Sequence, residues 1–262
     1  MNITDLVEEL DTAYIQTFAN HKKTSWGHMF FNEAQPNYYD ANHAQLLNAP
    51  EKPEEVINEV IQFYEQKRLT PRFYLYQADN LQDFIAKLKA SGFGYEDFSQ
   101  SVQQWNGQIS EVNQDPQISF ELVDQHNYQE VLNIECSITE FGGREIRKSA
   151  FQSEFAHPAF TYYLLRKMGV ACCTACIFFD GQQARLESVA TLETYRGQGL
   201  IGQLIYSLQQ IVKEKGIRIF WVFPINERVE KVYNRYGFQT IAKIKTGHAF
   251  LRGKGIKEIR ES

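Results

Sequence analysis

An arginine and two glycines at the end of a predicted strand are the residues best suited to bind an anion. The segment Tyr195–Leu200 has the sequence Tyr-Arg-Gly-Gln-Gly-Leu, and an apolar pattern of helical periodicity follows it over 200–212. The first amides of a helix lack intrahelical acceptors, and the helix dipole favours negative charge at the same place. Gly197 and Gly199 let the backbone approach a phosphate closely. The sequence therefore predicts a phosphate-binding loop that includes Arg196.

The elements that must position this loop alternate between strands and helices. The second half of the chain predicts strands at 118–124, 160–167, 170–179, 184–192 and 217–223, helices at 199–215 and 226–236, and a closing strand pair at 238–252. A helical stretch over 126–154 is predicted to break at Gly142-Gly143. A strand, a helix and a strand in succession favour a βαβ unit with a parallel component.

The first half of the chain repeats the later part of this pattern. It predicts, in order, a strand at 42–49, a helix that begins at Pro53, a strand at 72–76 and a helix at 81–90. A shift of 145 residues places Phe93 on Phe238, and it also superposes strand 72–76 on 217–221 and helix 54–67 on 199–212. One shift that aligns several elements indicates an internal repeat. We therefore predict two domains, 1–112 and 113–262, with the polar residues 100–116 as the link between them.

The two predicted copies differ at the anion-binding loop. The same shift places Glu51-Lys52-Pro53-Glu54 on Arg196-Gly197-Gln198-Gly199. Because proline removes a backbone donor and carboxylates repel phosphate, the first copy is not expected to hold a polyanion there. Residues 1–112 carry 8 Lys+Arg and 16 Asp+Glu, whereas residues 113–262 carry 19 and 16, which gives net charges of −8 and +3. The hypothesis is one working half and one half kept for its shape.

The composition limits the class of protein. The chain has 262 residues, 43% of them hydrophobic, and a net charge of −5 that argues against a general nucleic-acid-binding protein. No apolar run of about 18 residues exists that could span a membrane. The first residues lack the features of a signal peptide, so we expect a cytoplasmic protein. Cys172, Cys173 and Cys176 share one predicted strand and point to both of its faces, which favours small core side chains over a metal site or a disulfide.

Residues 117–250 resemble the GNAT acetyltransferase superfamily. The resemblance depends on four features that follow in the family's order and spacing: Val189-Ala190-Thr191, Tyr195–Gly199, Asn226 and Tyr233–Phe238. The family's phosphate loop has the pattern Q/R-x-x-G-x-G/A, and its first four places match the residues from Arg196 to Gly199. The sixth place is Ile201 rather than Gly or Ala, and a glycine follows one residue later at Gly202. The first half resembles the same fold with its loop lost.

This resemblance implies an α/β (α+β) fold of two GNAT-like domains, each a mixed central β-sheet flanked by helices, with a degenerate N-terminal copy. It also implies acetyl-CoA as the co-substrate and no metal. The family's contacts fall here on Val189, Ala190, Thr191, Arg196, Gly197, Gln198, Gly199, Leu200, Ile201, Gly202 and Asn226. The backbones of Val189 and Thr191 would pair with the pantetheine arm; the alternative is that they are ordinary strand residues. Asn226 would contact the same arm, or it caps a helix instead.

The resemblance also implies the catalytic residues. Tyr233 matches the family's tyrosine that protonates the departing thiolate, and the alternative for it is a core aromatic side chain. The first copy has Leu88 at this place, which has no proton to give. Glu187 lies in the strand that faces the substrate in this fold, so it could accept the amine proton directly or through water. Glu193, His157 and His248 are alternatives for the base. Glu187 and Glu193 could each be a solvated acid instead, and lone histidines are more often structural or exposed.

The function implied is an acetyl-CoA-dependent N-acetyltransferase that modifies a primary amine of a small molecule or peptide by direct attack on the thioester. The alternative is a CoA-binding regulatory module without transfer activity. A nucleotide-binding domain of another fold lacks support, because the sequence has neither a P-loop lysine followed by Ser or Thr nor the Rossmann glycine pattern. The aromatic residues of the first half could line one side of an acceptor cleft or form a core. Its charge of −8 could steer a cationic amine towards the protein.

Overall fold

A computed structural model describes residues 3–138, 141 and 143–261 of the chain. Its helices are α1 (Ile3–Gln16), α2 (Pro53–Gln66), α3 (Gln82–Ala90), α4 (Tyr128–Glu135), α5 (Arg144–Ala156), α6 (Leu200–Glu214), α7 (Glu227–Asn234) and α8 (Ile256–Glu261). Its strands are β1 (Asn20–Lys23), β2 (Gly27–Phe31), β3 (His43–Leu46), β4 (Arg72–Tyr76), β5 (Gly94–Trp105), β6 (Ile118–Leu122), β7 (Phe160–Lys167), β8 (Val170–Asp180), β9 (Gln183–Thr191), β10 (Ile219–Val222) and β11 (Phe238–Phe250). No helix of these residues is long and apolar enough to cross a membrane.

The chain forms two compact units. Unit 1 contains residues up to 100 together with those from 243 onward, and unit 2 contains 101–242. The strands β5 and β11 each contribute residues to both units. The predicted boundary after residue 112 separates the two copies of the repeat rather than two compact units, so it stays a prediction.

Unit 2 has a mixed sheet in which β6, β7, β8, β9, β10 and the end of β5 follow one another. Neighbouring strands are antiparallel except for the parallel pair β9 and β10. Helix α6 covers one face, where Leu204, Ile205 and Leu208 are buried in a cluster with Tyr163 and Ile177. Burying each such side chain contributes about 1.5–3 kcal/mol, so this face anchors the start of α6 on the sheet.

The opposite face of the unit 2 sheet packs against α4 and α5. Arg147 of α5 donates to Glu135 of α4 at 2.7 Å and to the hydroxyl of Tyr162 in β7 at 2.9 Å. Arg147 also pairs with Glu154 two turns later in α5. All four side chains are buried, so this network joins the two helices to each other and to the sheet.

Unit 1 has strands β1, β2, β3, β4 and the end of β11 side by side. The β3–β4 pair is parallel, and β11 pairs antiparallel with β4 over Thr246–Phe250. Helices α2 and α3 cover one face and bury Val60, Tyr64 and Leu88 in an apolar cluster. Helix α1 contacts the other face, where Thr12 hydrogen-bonds Gln45 of β3.

The internal repeat is confirmed by the order of the helices and strands, and it extends further than the sequence indicated. The shift of 145 residues relates α1 to α5, β3 to the end of β9, α2 to α6, α3 to α7 and β5 to β11. We call α1 to β5 the first copy and α5 to β11 the second copy. The last strand of the first copy pairs with β10 in unit 2, and the last strand of the second copy pairs with β4 in unit 1. Each unit therefore takes its terminal strand from the other copy.

Two predictions of element boundaries were wrong, and a third is in part outside the described residues. Residues 238–252 form one strand, β11, rather than a strand pair. The supposed link 100–116 begins as strand, because β5 continues to Trp105. The stretch 126–154 forms two helices, α4 and α5; of the predicted break at Gly142-Gly143, Gly142 lies outside the described residues, and Gly143 immediately precedes α5.

Candidate functional site

The loop between β9 and α6 has the backbone conformation that its glycines allow. A short 3₁₀ turn, Glu193–Tyr195, follows the strand, and Gly197 and Gly199 both adopt the left-handed conformation with φ of +76°. No atom lies within 4 Å of a Cβ built on either glycine. The space beside them is open, and a side chain there would carry the strain of a positive φ. The two glycines therefore allow the left-handed backbone and leave space beside the start of α6.

Several amides of this loop face outward without an acceptor. The amides of Tyr195 and Arg196 donate to carbonyl groups within the 3₁₀ turn. Within the described part of the chain, the amides from Gly197 to Ile201 have no backbone acceptor. Helix α6 has neither an acidic residue in its first turn nor a side-chain cap. The positive end of its dipole is thus left for an external anion.

These amides border a cavity of about 860 Å³ in unit 2. Its lining residues come from the strand end, the loop and helix α7: Thr191, Tyr195, Arg196, Gly197, Gly199, Leu200, Ile201, Glu227, Arg228, Lys231, Val232, Arg235 and Tyr236. Four of these side chains are cationic and one is anionic. Arg228, Lys231 and Arg235 are exposed, and they have no ion-pair partner in the residues that the structure describes. The cavity therefore has the charge that a polyphosphate requires.

A gap opens in the sheet next to this cavity. Strand β10 pairs with β9 only from Gln183 to Leu186, so Ser188–Thr191 lie beyond this pairing. On the other side, the pairing of β8 with β9 shifts between Thr174 and Cys176. Ser188 lies at this irregularity with a φ of +49°, as expected for a β-bulge. The bulge bends β9, and the backbone of its last residues can pair with an extended ligand.

Tyr233 of α7 lies in the core of unit 2. Its side chain is 5% exposed, and its ring contacts that of Phe238 edge-on, with centroids 5.7 Å apart. Burial first, and then proximity to Glu187 and Cys173, raise the pKa of Tyr233 above its ordinary value. The phenol therefore keeps its proton at neutral pH. Tyr233 satisfies the prediction of a core aromatic, and its protonation state is also the one that an acid requires.

Glu187 is close enough to Tyr233 to affect its pKa, and it forms an ion pair with Arg185 two residues earlier in β9. Arg185 is 4% exposed, and its guanidinium also lies over the ring of Phe223. Glu187 is thus placed as the sequence predicted, with a cation beside it that the sequence prediction did not include.

The remaining predicted contacts have local roles that the structure defines. Asn226 caps α7, since its side chain accepts the Val229 amide at 3.0 Å. Gly202 donates its amide to the carbonyl of Gly199 at 3.0 Å, and a Cβ there would lie 2.7 Å from the hydroxyl of Tyr236. Gly202 therefore makes room for a ring of the cavity wall.

Other predicted residues differ in their relation to the cavity. Thr191, Arg196, Gly197, Gly199, Leu200 and Ile201 line it, whereas Glu187, Val189, Ala190, Gln198, Gly202, Asn226 and Tyr233 do not. Gln198 accepts a hydrogen bond from Lys167 at 2.8 Å. Arg196 donates its Nε to the carbonyl of Thr191 at 3.2 Å, which holds the guanidinium at the strand end.

The three weaker candidates for the base have structural or solvent-exposed positions. His157 ends helix α5, and its Nδ1 accepts the Ala159 amide. His248 lies in unit 1, where its ring nitrogens contact Arg72 and Glu96. Glu193 is exposed in the 3₁₀ turn. Cys172, Cys173 and Cys176 are buried free thiols in β8, so the prediction of small core side chains holds for them.

Sequence reasoning missed the three cations of α7. Arg228, Lys231 and Arg235 are separated by three and four residues, a spacing that places side chains on one face of a helix. They lie before and after Tyr233 in the sequence, and they follow β10, which pairs with the strand that precedes the phosphate loop. Charged residues that repeat at three and four positions, as apolar residues on a helix face do, would have identified them.

Comparison with known proteins agrees with this geometry. The sequence model described as "Acetyltransferase (GNAT) family" matches residues 128–238. A GCN5-related N-acetyltransferase from Kribbella flavida has a similar structure, with a TM-score of 0.72 at 19% identity over 98% of this chain and 99% of that one. A functionally unknown conserved protein from Staphylococcus epidermidis is similar at a TM-score of 0.72 and 11% identity, over 94% of this chain and 100% of its own.

A tandem GNAT protein from the clavulanic acid biosynthesis pathway is also similar, with a TM-score of 0.55 at 14% identity over 81% of this chain and 76% of that one. No curated protein gives a significant match. The likeness to these structures extends over both halves, which the internal repeat also relates. Residues 128–238 match the GNAT acetyltransferase family model, and the chain as a whole shares its fold with GNAT structures, a tandem GNAT protein among them.

Proposed function

We propose that this protein is an acetyl-CoA-dependent N-acetyltransferase and that the half from residue 113 onward carries the active site. The observation that supports this most strongly is the combination of free amides over Gly197–Ile201 with a cavity lined by four cations. Backbone donors and the helix dipole bind a diphosphate, and cationic side chains add charge. The degenerate half has no such loop.

The residues around the cavity fit a CoA thioester. The loop amides would hold the diphosphate, and Arg228, Lys231 and Arg235 would neutralise its phosphate groups. The free edge of β9 beyond Leu186 would pair with the amide groups of the pantetheine arm. When bound, acetyl-CoA supplies an acyl group already activated as a thioester.

Tyr233 and Glu187 are the proposed acid and base. The neutral amine attacks the thioester carbonyl, a C–N bond forms, and the C–S bond breaks. The phenol of Tyr233 gives its proton to the departing sulfur, and Glu187 takes the proton of the amine directly or through water. Proton exchange between the tyrosinate and the protonated carboxyl then restores both groups.

The proposed acceptor is a primary amine of a small molecule or peptide. The acid–base pair requires a neutral nitrogen that loses one proton on acylation, and a primary amine meets that requirement. The gap beside β9 leaves the reacting groups near an open edge of the sheet. The acceptor would approach from there.

Replacing Tyr233 by phenylalanine tests the chemical step separately from binding. We expect Tyr233→Phe to lower the turnover of acetyl-CoA with an amine panel by about 10²-fold, the contribution of a positioned acid. Because the change removes one oxygen from a core ring, CoA affinity by calorimetry should stay within about twofold. Tyr195→Phe, at the cavity wall, is the matched control.

A wild-type rate in Tyr233→Phe would remove this tyrosine from the mechanism. CoA binding without acetyl transfer to any amine of the panel would contradict the transferase proposal. It would leave a protein that only holds CoA.

A further inference from the structure

One strand of unit 2 comes from the first, degenerate copy of the repeat. It is the end of β5, where Gln103 and Gln104 pair with Val222 and Trp221, the last residues of β10. The chain leaves β10 after Val222 and then enters α7, the helix that carries Tyr233. The first copy therefore supplies a strand beside the segment that leads into the proposed catalytic helix.

The side chain of Gln103 is fully buried and donates to α7. Its Nε2 lies 2.7 Å from the side-chain oxygen of Asn234 and 3.2 Å from the main-chain carbonyl oxygen of Glu230. A third acceptor, the hydroxyl of Thr240 in β11, lies at 3.3 Å. Its Oε1 has no hydrogen-bond partner among the described residues, so the hydrogen bonds of this side chain depend on Nε2. Gln103 therefore joins β5 to the second half of α7.

Glu230 of α7 is held at both oxygens of its carboxylate. Ser101 of β5 donates to Oε2 at 2.9 Å, and Thr240 of β11 donates to Oε1 at 2.6 Å. Glu230 and Asn234 are four residues apart, so they lie on one side of the helix. This side of α7 is therefore bound to the sheet by polar contacts, two of which come from β5.

Apolar packing contributes less to the position of α7. All eight residues of the helix are described, and of these Tyr233 alone is buried. Lys231 and Arg235 each follow a residue of the side that faces β5, which places them about 100° further around the helix. A helix moves its side chains together when it shifts. The hydrogen bonds of β5 therefore influence where Tyr233 and the cations lie.

We propose that Gln103 is a positioning residue, whose amide holds α7 so that the phenol of Tyr233 stays within reach of the departing sulfur. This inference rests on the proposed acetyl transfer, and it gives the degenerate copy a part in the reaction of the other copy. Proton transfer requires a donor and an acceptor about 2.6–3.2 Å apart, so a small displacement of α7 affects the chemical step. The cations of α7 attract phosphate over a longer range and tolerate such a displacement better.

Gln103→Met tests this role, because it keeps most of the side-chain volume and removes the amide. We expect kcat for acetyl transfer to fall about tenfold, since a misplacement of about 1 Å can cost about 10²-fold. CoA affinity by calorimetry should stay within about twofold, because the attraction between charges changes little over that distance. Gln104→Met is the matched control, because neighbouring strand residues point to opposite faces of the sheet. It should keep the wild-type kcat.

A double-mutant cycle distinguishes positioning from a general loss of structure. In the Tyr233→Phe background, Gln103→Met should lower kcat by less than about twofold, because the group that it positions is already absent. Equal losses in the two backgrounds would overturn the proposal, and so would an unchanged kcat in Gln103→Met alone. If Gln103→Met does not fold, Asn234→Ala takes its place, since it removes the 2.7 Å contact at an exposed position.

Hydrogen exchange over α7 separates this inference from the transferase proposal, because it needs no substrate. The amides of α7 should exchange about fivefold faster in Gln103→Met than in the wild type or Gln104→Met, as expected for the loss of one hydrogen bond. Unchanged exchange would show that Gln103 does not hold the helix. A wild type that acetylates no amine of the panel would instead overturn the transferase proposal, and with it the effect of Gln103 on catalysis.

Discussion

Helices α2 and α6 follow strands that occupy the same place in the repeat, but the first turn of α2 is acidic and that of α6 is uncharged. Helix α2 begins with Pro53 and has Glu54 and Glu55 in its first turn. Helix α6 begins after Gly199 and has no acid in its first turn. The carboxylates of α2 compensate its dipole from within the chain, whereas the dipole of α6 is left for a ligand.

Helices α3 and α7, which come next in the two copies, also differ in charge. Under the shift of 145 residues, Arg228, Lys231 and Arg235 of α7 correspond to Asp83, Ala86 and Ala90 of α3. Tyr233 corresponds to Leu88, which is fully buried in the apolar cluster of unit 1. The first copy therefore lacks the loop, the cations and the proposed acid together. The fold tolerates all of these changes, because the apolar side chains that hold the helices on the sheet remain in both copies.

Among these variants, exchanging the loop sequences of the two copies should change CoA binding most. We expect a variant with Glu-Lys-Pro-Glu at 196–199 to bind CoA at least about 100-fold more weakly, because it loses two or more hydrogen bonds to charged groups at about 1.5–3 kcal/mol each. Calorimetry with CoA measures this. The reverse exchange, Arg-Gly-Gln-Gly at 51–54, is the control. It should not create a second CoA site, since α3 lacks the cations of α7. Two CoA molecules bound per chain would show that the loop alone suffices.

A second exchange concerns the packing under the loop. Gly202 and Tyr236 correspond to Ile57 and Ser91 in the first copy, so a small and a large residue change places. A Cβ at Gly202 would lie 2.7 Å from the Tyr236 hydroxyl. We expect Gly202→Ile to lower the free energy of unfolding by about 1–3 kcal/mol through overpacking. Adding Tyr236→Ser should recover part of the loss in denaturant unfolding. Strictly additive effects of the two changes would mean that the two positions do not compensate.

The cations of α7 should have a smaller effect individually. Because Arg228 and Lys231 are exposed, each change to alanine should weaken CoA binding by about two- to fivefold, equivalent to about 0.5–1 kcal/mol for a solvated charge pair. The loss should shrink as salt is added, which calorimetry at two ionic strengths measures. Lys213→Ala, in the last turn of α6, provides a control with the same change of charge. Losses that are independent of salt would argue against a phosphate partner.

The parts of the site that sequence predicted are those with a local cause. Gly197 and Gly199 could be identified because a left-handed backbone needs glycine, and α6 because its apolar residues repeat within one helix. The ion pair of Glu187 with Arg185 was missed, although residues two apart on a strand share one face. Periodicity finds a helix but does not say which of its charged residues line a cavity.

The fold shows the same limit. Strand β5 was not predicted and β11 was predicted as a strand pair, and nothing in their sequences indicates that each pairs with a strand of the other copy. The buried contact of Arg147 with Glu135 depends likewise on how α4 and α5 pack. Both facts concern partners far apart in sequence, and composition and spacing do not determine such pairings.

The smallest expected effect concerns how stability depends on pH, and it comes from Glu8 of α1. Burial raises the pKa of Glu8 to about 7 in the folded chain, so the folded state binds a proton that the unfolded state has already released. This contribution to stability is present below the ordinary pKa of a glutamate, about 4.3, and is lost as the pH rises towards 7. In denaturant unfolding, we expect the free energy of unfolding of Glu8→Gln to fall less steeply than that of the wild type between pH 4.5 and 7. The difference should be less than about 1 kcal/mol, because the group is partly solvated. Glu9→Gln should leave the profile unchanged, and an unaltered profile in Glu8→Gln would show that the charge of Glu8 is already compensated in the folded protein.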